Sequence, residues 1–313
     1  MAQTALSRIC PDVNATEHAI EWRSLQPVFV GMPQLCRAGL SENWLLKACG
    51  HRHWLALAAA HGLDKPDFRG VDHQRLYPAF MAIALDVSGT GLGAIGENAS
   101  IDFALILERI GHTRFRSKID VTADTAVLAQ VTMESAFVHR AVDGVNNSAT
   151  RGGVARPCRL LPSPRLRTAP FRAEHWDDIL GFARQDRQCL ARFLIDPNPH
   201  EDFNGADFLY FSAFQAMLDR AEWAWFREPA ALPVTRNRRI YYLGNAELGD
   251  RIALTLCGMR NHGAAERDHW VELRRESDDR LIAIAFTRRE PAGANDSASR
   301  EQSNWPQKPC GQL

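Results

Sequence analysis

The segment EDFNGADFLYFSAF, residues 201–214, sets an acid, an asparagine and a glycine directly ahead of an aromatic-rich run. Asn204 is a residue type that caps helices through its side-chain oxygen, and Gly205 lets a ligand come close to the backbone. A helix launched at this point offers free N–H groups and the positive end of its dipole. Donors fixed in that way stabilise a carbonyl oxygen that becomes an oxyanion or enolate, and an apolar helix behind them keeps the reaction dry. Simple capping explains the same residues without a site. Tyr77, in RLYPAF, is the second candidate. A phenol titrates near pH 10, so it is a weak nucleophile but a good hydrogen-bond donor or acid. Pro78 removes a backbone donor and fixes the chain beside it. The alternative for Tyr77 is a half-buried tyrosine in a strand.

Two further patterns carry less. GTGLGAIG, residues 89–96, contains Gly91, Gly93 and Gly96 in dinucleotide-fingerprint spacing. That fingerprint needs a helix to begin there, but the next residues alternate as a strand does, so a glycine-rich loop between strands is expected. HRHW, residues 51–54, pairs two histidines two apart. On a helix these point to different sides and do not chelate one ion, so no metal is expected. No GxSxG elbow occurs, which argues against an α/β-hydrolase.

The 313 residues carry 37 basic and 37 acidic side chains. A nucleic-acid reader shows a basic excess, so no nucleic acid is expected. Arginine concentrates locally in RGGVARPCRLLPSPRLRTAPFR, residues 151–172, read either as a solvated linker or as a landing strip for an acidic partner. Seven cysteines without a CxxC pair fit reduced thiols and a cytoplasmic location. No apolar leader opens the sequence, and no run approaches the roughly 18 apolar residues of a membrane span. The polar segment 291–313 is expected to be disordered.

The elements that must hold the candidates repeat. An apolar helix is predicted over 41–62, with Ser41 as cap and Gly62 as terminator. Strands are predicted at 76–87, 99–111, 115–122 and 126–141; Ile101, Phe103, Leu105 and Leu107 alternate with a period of two. A second helix is predicted over 206–226, its apolar residues spaced by three and four. Strands at 238–244, 251–260, 269–276 and 280–289 follow, the last two joined by a tight hairpin at SDD. A helix apolar on most sides must be wrapped, and a twisted antiparallel sheet does this. The order predicts an α+β double hot-dog fold: an N-terminal extension at 1–26, a first unit at 27–150, a linker at 151–172, a second unit at 173–290, and the tail.

At this point the residues resemble known families. DFNGADFLYFSAF followed by RRIYYLGNAELGDRIALTL is similar to acyl-CoA hot-dog proteins, with Asp202, Asn204, Gly205, Tyr210, Gly249 and Asp250 matching their pattern. Ala206 and Asp207 stand where those thioesterases carry a histidine, and the HFPG-type dehydratase motif is missing. More closely, GMPQLCRAGLSENWLLKACGHRHW (31–54), RLYPAF (75–80) and DFNG…LYF resemble the double-hot-dog acyltransferase/decarboxylase family of the leinamycin pathway, over about residues 27–290. That resemblance implies decarboxylation of methylmalonyl-CoA and transfer of the propionyl group to an acyl carrier protein, with Tyr77 as the family's active-site tyrosine. From the residues themselves, catalytic roles are expected for Asn204 and Gly205, and substrate contacts for Gly31, Met32, Pro33, Asp202 and Tyr210. Whether Tyr77 donates a hydrogen bond or carries the acyl group stays open. The coenzyme A thioester is the substrate, and no other cofactor is expected; a homodimer is admitted. The alternatives are an acyl-CoA or acyl-carrier thioesterase, and a non-catalytic carrier-binding protein.

Overall fold

The computed structural model describes residues 13–291 apart from 25, 125, 164–170, 177, 228–231 and 264–265; the expected tail after 291 lies outside them. Two helices organise what is described. α1, Glu42–Ala60, starts where the Ser41 hydroxyl accepts the Trp44 amide at 3.3 Å. It stops where Gly62 turns left-handed (φ 63°) and the amides of Gly62 and Leu63 return to the carbonyls of Ala59 and Ala58 at 2.9 and 2.8 Å, an ending that glycine favours. α2, Phe211–Phe226, begins later than expected. Residues 203–209 form a turn closed by a Phe203–Leu209 bridge, with Asp207 left-handed (φ 59°), so they cannot be helical.

In chain order the strands are β1 (Val13–Ala15), β2 (Ala19–Arg23), β3 (Val28–Phe29), β4 (Leu35–Cys36), β5 (Gly39–Leu40), β6 (Phe68–Arg69), β7 (Arg75–Val87), β8 (Ser100–Arg109), β9 (Arg114–Ala123), β10 (Ala126–Arg140), β11 (Ala149–Arg151), β12 (Ala191–Ile195), β13 (Val234–Tyr242), β14 (Ile252–Gly263), β15 (Glu266–Arg275) and β16 (Leu281–Glu290). The main sheet runs β1-β2-β8-β9-β10-β7-β13-β16-β15-β14-β12. This is the double hot-dog: one half wraps α1, the other wraps α2, and β7 joins β13 at the centre. β1 and β2 extend the first half at its edge, so Val13–Ala15 and Ala19–Arg23 of the expected N-terminal extension belong to that sheet. The glycine-rich stretch is a loop with one turn of 3-10 helix, Leu92–Ala94, before β8.

Burial differs between the halves. β9 buries alternate residues, Phe115, Ser117, Ile119 and Val121, as a sheet with one covered face does. β14, β15 and β16 bury consecutive residues, because the second half is covered twice. α2 lies on one face. On the other, residues 171–182 pack Phe182 and Trp176 against Trp270 and Phe286, and Phe171 stacks on Tyr241 at 3.7 Å. Residues 151–163 are not a free linker either. Leu160 is buried, and amides of Arg159, Leu161 and Ser163 bond carbonyls of Ala60, Glu17 and Arg109 at 2.7–2.9 Å.

The junction is nearly two-fold. β7 and β13 are antiparallel with Ala84 opposite Arg239. Rotation about that pair carries Pro78 onto Pro233 and Met81 onto Arg236; Met81 and Arg236 are the residues skipped at the register shifts of their strands. The helices also meet. Asn43 Nδ2 donates to the Ser212 carbonyl at 2.8 Å and to Gln215 Oε1 at 2.9 Å. A buried charge cluster closes the junction: Arg238 Nε lies 2.9 Å from Glu42 Oε1, and Arg238 Nη2 lies 2.8 Å from Asp219 Oδ1. Thr235 Oγ1 donates to Glu42 Oε2 at 2.7 Å, and His269 Nε2 lies 2.9 Å from Glu222 Oε1. Burial alone would raise the Glu222 carboxyl, but the guanidiniums of Arg238 and Arg289 hold it well below the usual carboxylate range.

Candidate active site

β7 pairs with β13 only over Ala82–Asp86; from Tyr77 to Phe80 it pairs with β10 alone, and Met81 is the bulged residue. A proline is admitted in a strand where no partner needs its amide, so Pro78 suits this half-open edge. Bulges gather beside sites because they re-aim side chains. A cavity of about 250 Å³ opens here between the two halves. Its first wall is Tyr77–Met81 with Val138. Its second is Asn204, Phe208–Phe211 and Tyr242–Asn245, with Trp54 and Phe214 behind. The ring of Phe211 meets Phe80 at 4.5 Å, and Phe214 meets Tyr242 at 5.1 Å. The exposed residues Asn147, Ala149, Arg151 and Arg280 mark the mouth.

The second wall is a loop held rigid by amide chemistry. Asn204 Oδ1 accepts the amides of Ala206 and Phe208 at 2.9 and 3.2 Å. Asn245 Oδ1 accepts the Leu209 amide at 2.9 Å, and its Nδ2 donates to the Leu209 carbonyl at 3.1 Å. The first half grips the same loop. Asn146 Nδ2 donates to the carbonyls of Asp207 and Ala246 at 2.6 and 2.8 Å, while Arg140 bonds Asn146 Oδ1 and the Ala206 carbonyl. Glu247 accepts the amides of Asn146 and Asn147 at 3.1 and 2.8 Å. Gly249 and Asp250 shape the turn that presents it: Gly249 is left-handed (φ 93°), and Asp250 Oδ2 accepts the Glu247 amide at 2.8 Å. Spacing gave no sign of Arg140, Asn146, Asn245 or Glu247, because the loop partners they hold lie 36 to 101 residues away in sequence. The one local signal was the Asn-Asn pair at 146–147.

Of the residues singled out from the sequence, Tyr77, Asn204 and Tyr210 line the cavity. Asn204 does not cap α2; its oxygen caps the turn ahead of it, and Tyr210 stands at the N-cap without a side-chain bond. Gly205 is exposed in that turn, with nothing within 4 Å of the place a Cβ would take, so no close approach requires glycine. Asp202 is buried beneath the loop, where Oδ2 accepts the Asn198 amide at 2.8 Å and its carbonyl accepts the Tyr210 amide at 2.7 Å. It positions Tyr210 and does not reach the cavity. Gly31, Met32 and Pro33 build the short turn ahead of α1, with Met32 67% exposed. They do not line the cavity, which is built on the corresponding segment ahead of α2. His53 is buried in α1 with Nδ1 2.7 Å from Ser117 Oγ and Nε2 2.8 Å from Ser135 Oγ, while His51 is exposed.

What remains free defines the chemistry. Tyr77, Tyr210 and Asn204 line the cavity, and the two hydroxyls and the Asn204 Nδ2 have no hydrogen-bond partner among the described residues. Burial raises the Tyr210 phenol, so it stays protonated. Tyr242 is engaged, its hydroxyl donating to the Phe211 carbonyl at 3.0 Å, and burial raises it well above the ordinary phenol value. The amides of Phe211 and Ser212 open α2, where no intrahelical acceptor exists for them. No Asp, Glu, His, Ser or Cys lines the cavity among the described residues. The wall is therefore rich in neutral donors and lacks a strong general base.

No family model and no curated protein matches the chain. Solved structures do. An acyl-ACP thioesterase from Bacteroides thetaiotaomicron aligns over 87% of this chain and 98% of its own, at 10% identity and a TM-score of 0.53. The 12:0-ACP thioesterase from Umbellularia californica aligns over 87% and 94%, at 10% identity and 0.54. A Lactobacillus plantarum protein named as an oleoyl thioesterase aligns over 89% and 97%, at 11% identity and 0.59. At such identities the likeness is one of fold, and the fold shared along nearly the whole length of these chains is the double hot-dog.

Proposed function

We propose that the chain is an enzyme acting on acyl thioesters in the cavity between its halves. One observation carries this: free neutral donors, Tyr77 from one half and Asn204 and Tyr210 from the other, converge on an aromatic-floored pocket at the start of α2. A thioester carbonyl gains negative charge in every reaction such a substrate undergoes, and prearranged donors lower that barrier.

Between reactions, the missing base favours decarboxylation with acyl transfer. For a malonyl-type thioester to decarboxylate, its C–COO⁻ bond must stand perpendicular to the carbonyl plane. It breaks to release carbon dioxide, and its electron pair flows into the carbonyl as an enolate; no proton has to be removed. Tyr77 and Asn204 Nδ2 donate to the enolate oxygen. A tyrosine phenol then protonates the carbon, and the resulting phenolate takes the proton of the carrier thiol; the carrier sulfur adds to the carbonyl, the bond to coenzyme A breaks, and coenzyme A leaves as its thiol, reprotonated from the tyrosine. This reading also rests on the resemblance over 31–54, 75–80 and 201–214. Hydrolysis is the second reading, favoured by the thioesterases among the similar structures. It needs a water activated by a group outside the described lining.

The experiment is incubation of the full chain with methylmalonyl-CoA, with and without a carrier protein, followed by mass spectrometry. Propionyl-carrier with loss of carbon dioxide supports the first reading. Free acid without that loss supports hydrolysis. No turnover of any acyl thioester overturns both.

A further inference from the structure

Arg151 and Arg280 are the only charged residues in the cavity wall among the described residues, and they come from different halves. Arg151 closes β11 on the first half, and Arg280 ends the hairpin between β15 and β16 on the second. Both are exposed, and neither guanidinium has a hydrogen bond or ion pair among the described residues. Nearby, Arg251 is paired with Asp196, Arg274 with Glu272 and Asp279, and Arg275 with Asp278. Asp278 feels the field of Arg280 but is bonded through both oxygens by Arg275. A chain with equal numbers of acids and bases thus leaves two positive forks, and no carboxylate, among the described residues that line this apolar pocket.

We propose that Arg151 and Arg280 form a phosphate clamp, one guanidinium from each half, which grips the phosphate of a phosphopantetheine arm while its thioester end reaches Tyr77 and Asn204. The identity of that anion rests on the acyl-thioester reading above. Guanidinium forks match phosphate oxygens bidentately and hold their charge at any physiological pH. An arm entering between them is also oriented, because the clamp fixes one end and the donors fix the other. Coenzyme A and a carrier protein present the same phosphate, so one clamp serves the donor and the acceptor of a transfer in turn.

The test is calorimetric binding of pantetheine, phosphopantetheine and coenzyme A to the full chain, the R151A/R280A double variant and the R151K/R280K variant. Phosphopantetheine is expected to bind the native chain about tenfold tighter than pantetheine, with an advantage that shrinks as salt rises. The double alanine variant is expected to bind the two alike, and the lysine variant to keep part of the advantage. Equal affinity for phosphopantetheine and pantetheine in the native chain, no measurable binding of any of the three, or an advantage that survives in R151A/R280A overturns the clamp. A further gain for coenzyme A that persists in the double variant assigns the nucleotide end to other residues. Phosphate-dependent binding without turnover keeps the clamp and removes the enzymatic reading; turnover without it does the reverse.

Discussion

The ring of Phe211 at the start of α2 occupies the space that a side chain at Gly50 of α1 would need: a Cβ there would lie 2.7 Å from Phe211 Cζ. The ring cannot easily withdraw, since Phe80 and Tyr210 hold it at centroid distances of 4.5 and 4.6 Å. Gly50→Ala therefore sets two effects against each other. Alanine stabilises a helix interior by up to about 1 kcal/mol over glycine, while overpacking a core costs about 1–3 kcal/mol. The clash is expected to win, lowering the melting temperature and pushing Phe211 into the cavity. A Gly50→Ala protein as stable as the parent would show that Phe211 relaxes freely.

Tyr77→Phe keeps the ring and removes the hydroxyl. As a donor to developing charge, that hydroxyl is worth roughly 2–4 kcal/mol, or about 10² to 10³ in rate, by analogy with oxyanion-hole donors. Decarboxylation and transfer are then expected to slow together. Selective loss of transfer with decarboxylation intact would instead assign Tyr77 as the acyl carrier. Parent rates in both steps would make it a packing residue.

Asn204→Asp separates fold from chemistry at one atom. The acid keeps an oxygen for the amides of Ala206 and Phe208 and replaces the free Nδ2 donor with negative charge. The melting temperature is expected to change little, while turnover falls by at least about 10². A loop that unfolds at the same time, seen as a large loss of stability, would assign Asn204 to structure alone.

His53 predicts an acid limb. Burial lowers its pKa from 6.5 to about 3, so it stays neutral between its two serine partners. The folded state binds fewer protons at this site than the unfolded state. Its contribution is therefore full above about pH 6.5 and is lost as pH falls towards 3. At pH 5 the loss is about 2 kcal/mol. Thermal melts from pH 7 to 4.5 should show this slope in the parent and a flatter one in His53→Gln, which can still bond both serines. Identical slopes would mean that other groups control acid unfolding.

The strand-then-strand order after each apolar helix was readable because alternation survives at β8 and β9, and because Ser41 and Gly62 punctuate α1 as expected. β2 and β12 were missed: both are five-residue strands, too short for a period to register. The start of α2 was misplaced because Asn204 uses its side chain on the turn before the helix, and a local pattern does not show which amide a carboxamide will choose. Tyr77 stood out through Pro78, a residue out of place in an ordinary central strand. The amide latch from Asn146 and Glu247 exists only once the halves meet, and no local pattern encodes it.

The near two-fold at the β7–β13 junction has an evolutionary corollary. The place related to Tyr77 is held by Leu232, and the one related to Phe80 by Thr235, which bonds Glu42 inside the buried charge cluster. Two identical subunits would have to keep both openings alike, since each substitution appears twice. Joining the halves in one polypeptide removes that constraint. One opening presents donors around a hollow of about 250 Å³, and its counterpart, at Leu232 and Pro233, holds a smaller hollow of about 100 Å³ bordered by Asp219, Glu222 and Arg289 of the charge cluster.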